Sequence, residues 1–579
     1  MNKIGVFICY CDLNVTGDID LDEVINRVKE ENDVAYVTSC RDMCLDLGLK
    51  TVKMAIEEEH LERVVITTCS PNLHRESFIE SLAAAGIELH QIKLVDLKEV
   101  CGWPINYSRE EATVRVIATL SAAIEELTHQ QSIIRSRVPV IKRALVIGGG
   151  IAGIQAALDI ADGGYEVVLV EKTSSVGGHM IQYSEVFPTL DCPQCIETPK
   201  MVEVGQHPNI KLYAYSEVES VTGEAGDFTV IIKRKASYVD WDKCNGCGAC
   251  QQKCLTVCEA EYERKLNFGP RKAIYIPFAQ AVPNKPVLDR EHCGHFTTGL
   301  CQVCQQVCPR EAIDYEQTDT FIEEKVGAIV IATGFELMPK PEIGEYEEDP
   351  DILEGIEFER ILCPGGPTAG EVLRPSDGKI PKEVVFVSCC GSRDPEHGVP
   401  YCSRVCCMYL TKMAMLYNHA VHDGRPYMFY IDLRTTGKGY EEFVQRAVDE
   451  HGLVYLRGKV SKIFREGENI RVLGADTLTG KSVDISCDLV VLGMAMMPAP
   501  GIKELAAKLG VETDEFGFIT EMHCKLRPLE TSVSGIFVCG TAQGPKDIPD
   551  SVSQGGAAAS KVLGLFSQEE IVTEKVAVG

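Results

Sequence analysis

Residues 144–172 read ALVIGGGIAGIQAALDIADGGYEVVLVEK. The order is an apolar strand, a glycine turn, an Ala-rich helix, a second apolar strand and then a carboxylate. Gly148, Gly150 and Gly153 satisfy G-x-G-x-x-G. The first glycine permits the tight turn, the second lets the backbone approach a pyrophosphate, and the third lets helix pack on strand. The helix N-terminus then faces the phosphates. Glu171, with Lys172 after it, stands about 20 residues on, where a carboxylate accepts hydrogen bonds from ribose hydroxyls. A bare glycine turn without a ligand would not need this full context. The stretch therefore predicts a dinucleotide-binding α/β unit.

Three further segments favour FAD over NAD. SSVGGHM adds Gly177 and Gly178, a second close approach of backbone to a bulky cofactor. GAIVIATGF (327–335), with Thr333 and Gly334, resembles the strand and turn that return a flavoprotein chain to its dinucleotide domain. GIFVCGTAQGPKDIPDSV (535–552) resembles the segment that passes near a flavin ring. An Asp usually follows the glycine there; here Thr541 follows Gly540, with Asp547 nearby.

Working outward, residues 1–130 alternate strands (IGVFIC, VAYVTSC, RVVITTC) with helices. That alternation predicts an N-terminal parallel α/β domain. Residues 131–142 read as a linker. The flavin domain begins at 143 and runs to 236, a cysteine-rich insert occupies 237–315, and the α/β pattern resumes over 316–579.

The insert carries CNGCGACQQKC, which places Cys244, Cys247, Cys250 and Cys254 in C-x2-C-x2-C-x3-C. A second run supplies Cys293, Cys301, Cys304 and Cys308, followed by Pro309; its first gap is seven residues instead of two. Thiolates at this spacing wrap an iron–sulfur cube, and the fourth Cys of each run reaches the neighbouring cube. The spacing thus predicts one [4Fe–4S] cluster on Cys244, Cys247, Cys250 and Cys308, and another on Cys293, Cys301, Cys304 and Cys254. Paired zinc sites are the competing reading, and this interleaving is unusual for them. Cys258 is spare.

A two-nucleotide flavoenzyme of the thioredoxin-reductase type should start its second domain with another strand and glycine fingerprint. PKEVVFVSCCGSRD (381–394) has the strand but only Gly391 after Cys389 and Cys390. YCSRVCCMY then supplies Cys402, Cys406 and Cys407; on a helix, positions 402 and 406 would share a face. With Cys389 or Cys390 these thiols could hold a cluster where a nicotinamide would have docked; a set of buried thiols is the bland alternative. TLDCPQCIETPKM offers Cys192 and Cys195, either a redox dithiol or structural thiols.

The chain has 579 residues, 45% hydrophobic and 25% charged, enough for three to five domains with their own cores. No apolar run approaches the roughly 18 residues of a membrane span, and the N-terminus reads as a strand and not a signal peptide. A cytoplasmic location is expected. Net charge is −28, which argues against nucleic acid as a partner; it suits plain solubility or an acidic docking face. The 26 cysteines fall in clusters, as metal or redox cysteines in a reducing compartment do.

With RKAIYIPFAQAVP and AQGPKDIPDSV added to these motifs, the chain resembles the A-type subunits of the heterodisulfide reductase family over nearly its whole length. The resemblance implies a third cluster on Cys389, Cys402, Cys406 and Cys407, leaving Cys390 out. It also suggests a fourth in the N-terminal domain on Cys9, Cys44, Cys69 and Cys101. The carboxyl ends of parallel strands converge on one sheet edge, which suits Cys9 and Cys69; Cys11 and Cys40 are rivals. Some members carry a further C-terminal ferredoxin domain. This chain, read to Gly579, is expected to lack it, so a partner subunit would supply electron input. The resemblance further implies B- and C-type subunits, a hydrogenase- or dehydrogenase-linked input subunit, ferredoxin, and a homodimer within a larger complex.

Flavin exchanges electron pairs for single electrons and clusters carry one each, so flavin is the natural junction between them. Three functions follow as expectations. One is FAD-based electron bifurcation between a high-potential, disulfide-type acceptor and low-potential ferredoxin. Another is a non-bifurcating relay. The last is an NAD(P)H-dependent dithiol reductase using Cys192 and Cys195, against which the missing second fingerprint counts.

Overall fold

The structure is a computed structural model describing residues 3–10, 19–68, 71–97, 107–130, 133–259, 262–266, 268–344 and 346–576. The chain divides into two compact units, residues 1–137 with 572–579, and residues 138–571.

In the first unit four parallel strands lie in the order Val34–Cys40, Ile4–Cys9, Arg63–Thr68, Ile92–Asp96. Alternation along Ile4–Cys9 sends Ile4, Val6 and Ile8 to one core and Phe7 and Cys9 to the other, as a strand period of two requires. Helices Leu21–Val28 and Arg109–His129 cover the first face; Asp46–Glu59 and Pro71–Ala83 cover the second. Local signals set the helix starts. Asp20 accepts from the Glu23 N–H, and Ser108 with Glu111 forms a reciprocal capping box.

The second unit holds two five-stranded parallel sheets. The first has the order Ile536–Val538, Ala328–Ile331, Arg143–Ile147, Glu166–Val170, Ile210–Tyr213. Its central strand ends at Gly148, so the glycine turn sits where the chain order reverses, the crevice where open α/β sheets bind ligands. Helix Ile548–Phe566 packs on helix Ile151–Asp162, close enough that a Cβ on Gly555 would stand 2.5 Å from the Ala152 carbonyl oxygen.

The second sheet has the order Ile352–Glu354, Leu489–Met494, Glu383–Cys390, Arg425–Tyr430, Val454–Arg457. Here too the chain reverses about the central strand, which ends in Cys389 and Cys390 in place of glycines.

The cysteine-rich segment hangs from an antiparallel hairpin. Strands Asp227–Arg234 and Thr320–Val326 pair, with Arg234 opposite Thr320. The segment between them has short strands and five-residue helices around a core that includes Cys250, Cys258, Cys293 and Cys304.

Residues 131–142, expected as a linker, contain the strand Ile133–Pro139, which pairs with Glu570–Val576. The β-branched run at its start favours an extended chain, but the strand that pairs with it lies some 430 residues downstream.

Candidate functional site

A cavity of about 520 Å³ opens at the glycine turn and runs between the two lobes of the second unit. Gly148, Gly150, Gly178, Glu171, Thr333, Gly334, Thr541 and Asp547 line it from the first lobe. Val405, Tyr409, Lys412 and Met413 line it from the second. Gly148 takes φ +108°, and a Cβ there would stand 2.3 Å from the Ala332 carbonyl oxygen. Gly153 and Gly177 act from behind the wall. A Cβ on Gly153 would strike the Gly148 carbonyl at 1.9 Å, and Gly177 sits at φ +125°.

Glu171 is buried. Its carboxylate accepts from the Gly149 N–H at 2.7 Å and from the Thr173 N–H and hydroxyl at 2.8 and 2.7 Å. Lys172 stands off the cavity, its carbonyl accepting from Lys235 Nζ at 2.7 Å. Asp547 is committed within the protein. One oxygen caps helix Ile548–Phe566 through the Asp550 N–H (2.9 Å), and the other accepts from the Tyr440 hydroxyl (2.8 Å).

Two unpaired polar groups test whether a ligand belongs here. Thr333 Oγ1 and both side-chain amide atoms of Gln182 are buried on the cavity wall without a hydrogen-bond partner in the protein. Buried polar atoms are costly unless satisfied, so a ligand with donors and acceptors along its length fits these walls. FAD has the ribityl hydroxyls and ring edge to meet them.

Sequence reasoning did not single out Gln182, Lys412 or Lys546. Lys412 and Glu359, each 2% exposed, form an ion pair on the wall. Lys412 also donates to the Glu185 carbonyl at 2.9 Å, and Glu359 accepts from the Ser184 N–H and hydroxyl at 2.9 and 2.7 Å. Burial holds the Lys546 ammonium down to about 8. A second ionic group meets at the rim. Lys265, from the insert, reaches Glu354 at 3.0 Å and Glu357 at 3.4 Å, and Lys340 reaches Glu357 at 3.0 Å.

The insert brings its cysteines together in two groups. Cys244, Cys247, Cys250 and Cys308 ring one small cavity. Burial raises the Cys293 thiol, with Cys254 and Cys301 as charged neighbours, and the Cys304 thiol, with Cys293 and Cys254. The long gap before Cys301 is taken up by helix Gly294–Thr298 and a turn at Gly299 (φ +74°). These return the chain so that a Cβ on Gly294 would stand 3.3 Å from Cys301 Cβ. Cys258 meets Asp289 and His292, but Asp289 is held by Arg271 at 2.6 Å.

In the second lobe Cys389 takes φ +61°, a left-handed kink, and turns into the core with Cys406 and Cys407; Cys390 turns into the opposite core. The Cys406 thiol donates to Cys389 and holds its pKa down to about 6, aided by Ser388 and Arg393. Arg393 feels both Cys389 and Cys402, and the Cys402 sulfur accepts from the Arg404 N–H at 3.2 Å. Helix Cys406–Ala420 starts at these thiols and carries Tyr409, Lys412 and Met413 into the cavity wall within two turns. Cys192 and Cys195 lie apart from the cavity. Both are exposed at the start of helix Pro193–Gln206, the Cys192 sulfur accepting from the Cys195 N–H at 3.3 Å.

In the first unit Cys9 and Cys40 are cross-strand partners, and Cys44 packs beside them. Cys69 and Cys101, with the rival Cys11, lie outside the described residues.

The chain is similar to several known proteins. The profile of FAD dependent oxidoreductases matches residues 144–191. The A-type iron-sulfur subunit of the CoB--CoM heterodisulfide reductase of Methanocaldococcus jannaschii is 42% identical over 99% of this chain and 87% of its own. The A-type subunit of the H(2):CoB-CoM heterodisulfide,ferredoxin reductase of Methanothermobacter marburgensis is 38% identical over 99% of this chain and 86% of its own. Among solved structures, the thioredoxin reductase of Lactococcus lactis covers 74% of this chain and 99% of its own, with 15% identity and a TM-score of 0.40. No helix among the described residues is long and apolar enough to cross a membrane. The chain is an FAD-dependent oxidoreductase with an α/β fold, and it belongs to the family of heterodisulfide reductase A-type subunits.

Proposed function

We propose that this chain is the branching point of a cytoplasmic heterodisulfide-reductase-type complex, where electron pairs arriving at FAD leave singly along separate [4Fe–4S] routes. Up to four clusters serve it: two on the insert, one on Cys389, Cys402, Cys406 and Cys407, and one at the strand ends that bear Cys9. One route ends at a disulfide-type acceptor held by a partner chain, the other at a low-potential ferredoxin. Bound FAD supplies the exchange between two-electron and one-electron chemistry.

The observation that carries this reading is the cysteine loop of the second lobe. Val405, which precedes the helix that begins at Cys406, and Tyr409 in its first turn line the flavin cavity. Thiols able to hold a one-electron carrier thus occupy the end of the sheet where a two-nucleotide flavoenzyme would seat its hydride donor. Lys412 and Glu359 keep a fixed, dry charge pair on the same wall. Thr333 and Gln182 offer their unpaired polar atoms to orient the cofactor. The exposed position of Cys192 and Cys195 counts against a dithiol reductase working through the cavity.

The test uses the native complex under anaerobic conditions with its reductant. Ferredoxin reduction is expected only while the disulfide acceptor is also being reduced. Ferredoxin reduction at full rate without the second acceptor would leave a simple relay and overturn branching.

A further inference from the structure

The two cysteine groups of the insert are not surrounded alike. Around Cys244, Cys247, Cys250 and Cys308, the hydrogen bonds to sulfur come from main-chain N–H groups. Gly246 donates to Cys244 Sγ at 3.4 Å and Ala312 to Cys308 Sγ at 3.3 Å. In the second group the Tyr315 hydroxyl lies 3.0 Å from Cys304 Sγ. Among the described residues it is the one side-chain O–H or N–H group set against a sulfur of either group.

The phenol is held for this contact. Tyr315 is 9% exposed and Cys304 6%. The His295 ring stacks on Tyr315 at 3.6 Å and 8°. His295 is fixed in turn by a 3.0 Å contact between Nδ1 and the Cys301 carbonyl. Phe296 closes the side, its ring edge-on at 5.9 Å. The tyrosine therefore reads the geometry of two cysteines of one group, Cys301 through His295 and Cys304 directly. As thiols, either atom of the Tyr315–Cys304 pair could donate. A thiolate that ligates iron has no proton, so the hydroxyl must then be the donor.

We propose that Tyr315 is a positioning residue of the Cys254, Cys293, Cys301 and Cys304 cluster, whose hydroxyl hydrogen bond to the Cys304 sulfur raises that cluster's reduction potential. Reduction adds one negative charge to the cluster, and a donor aimed at its sulfur stabilises that charge. The effect is strengthened by a buried, low-dielectric setting. The bond biases an electron shared by the two insert clusters towards the second. This rests on the reading of the insert as a two-cluster unit.

The experiment is an anaerobic redox titration of the holoprotein followed by electron paramagnetic resonance, with iron and sulfide analysis of every sample. In Tyr315→Phe, which removes one oxygen, one cluster midpoint is expected to shift to more negative potential while the others hold. Replacing Tyr315 with 3-fluorotyrosine, a stronger donor of nearly the same shape, should shift the same midpoint the opposite way; it decides the matter if Tyr315→Phe loses iron. Full iron content with midpoints unmoved by the fluorotyrosine overturns the role of Tyr315 and leaves the two-cluster insert standing. Wild-type protein without [4Fe–4S] signals from the insert would overturn that underlying reading instead.

Discussion

At the scale of single residues, the cavity gathers charges that a soluble protein would normally leave in water. Lys546 is the clearest case, because burial depresses its ammonium to about 8 while the unfolded chain keeps an ordinary lysine. Below pH 8 both states are protonated and the folded state bears the full burial cost. Between about 8 and the usual lysine value near 10.4 the unfolded state binds more protons, so folding gains stability as pH rises. Wild type should therefore gain on Lys546→Met across that window, by up to about 3 kcal/mol at ~1.4 kcal/mol per pH unit. Denaturation midpoints measured at intervals from pH 7 to 10.5 check this. A wild-type-to-variant difference that stays flat with pH would show that Lys546 is hydrated in the folded protein.

At the scale of elements, helix Ile548–Phe566 ties the flavin lobe to the cysteine lobe through its first turn. Asp547 caps it and accepts from Tyr440, and Asp550 pairs with Arg404 at 2.5 Å. Asp547→Ala removes a cap worth about 1 kcal/mol and strands the buried Tyr440 hydroxyl, at about 1–3 kcal/mol more. Thermal denaturation of the holoprotein should show the summed loss, and Asp547→Ala in a Tyr440→Phe background should cost less. Equal costs in both backgrounds would mean that Tyr440 draws nothing from Asp547. Much of this lobe was legible in the sequence because its signals are local. The glycine turn, the strand before it and the acidic end of the next strand lie within 29 contiguous residues, 144–172. The orientation of Cys389 against Cys390 was not legible, since neighbours in the chain differ only through a backbone kink. Gln182 and Lys412 stayed hidden for another reason: they meet on the cavity wall only after two sheets have packed. The pairing of Ile133–Pro139 escaped notice likewise, its partner being at the far end of the chain.

At the scale of the whole molecule, the insert has little of its own to hold it. Its helices are five residues long and its strands two. Isolated helices of that length are unstable, so on the proposed two-cluster reading bound metal supplies much of the insert's folding free energy, as it does in small metal domains. Removing iron should therefore unfold residues 237–315 first and leave both flanking sheets intact. Limited proteolysis of iron-depleted against replete protein reads this out. Cleavage is expected inside the insert while the two fragments stay associated through the Arg234–Thr320 hairpin. First cuts in the flanking lobes would contradict it.

In both five-stranded sheets of the second unit the chain steps from the central strand through the next two strands to one edge and returns on the other side, yet one central strand ends in glycines and the other in cysteines. Such a likeness is what an ancient internal duplication would leave. On that view, a coenzyme-dependent ancestor needed no new scaffold to become hard-wired to an electron circuit. If those cysteines carry a cluster, as proposed, rewriting one loop and the first turn of the helix behind it would suffice, and the carrier would trade the freedom to diffuse away with its electrons for a fixed place in the circuit.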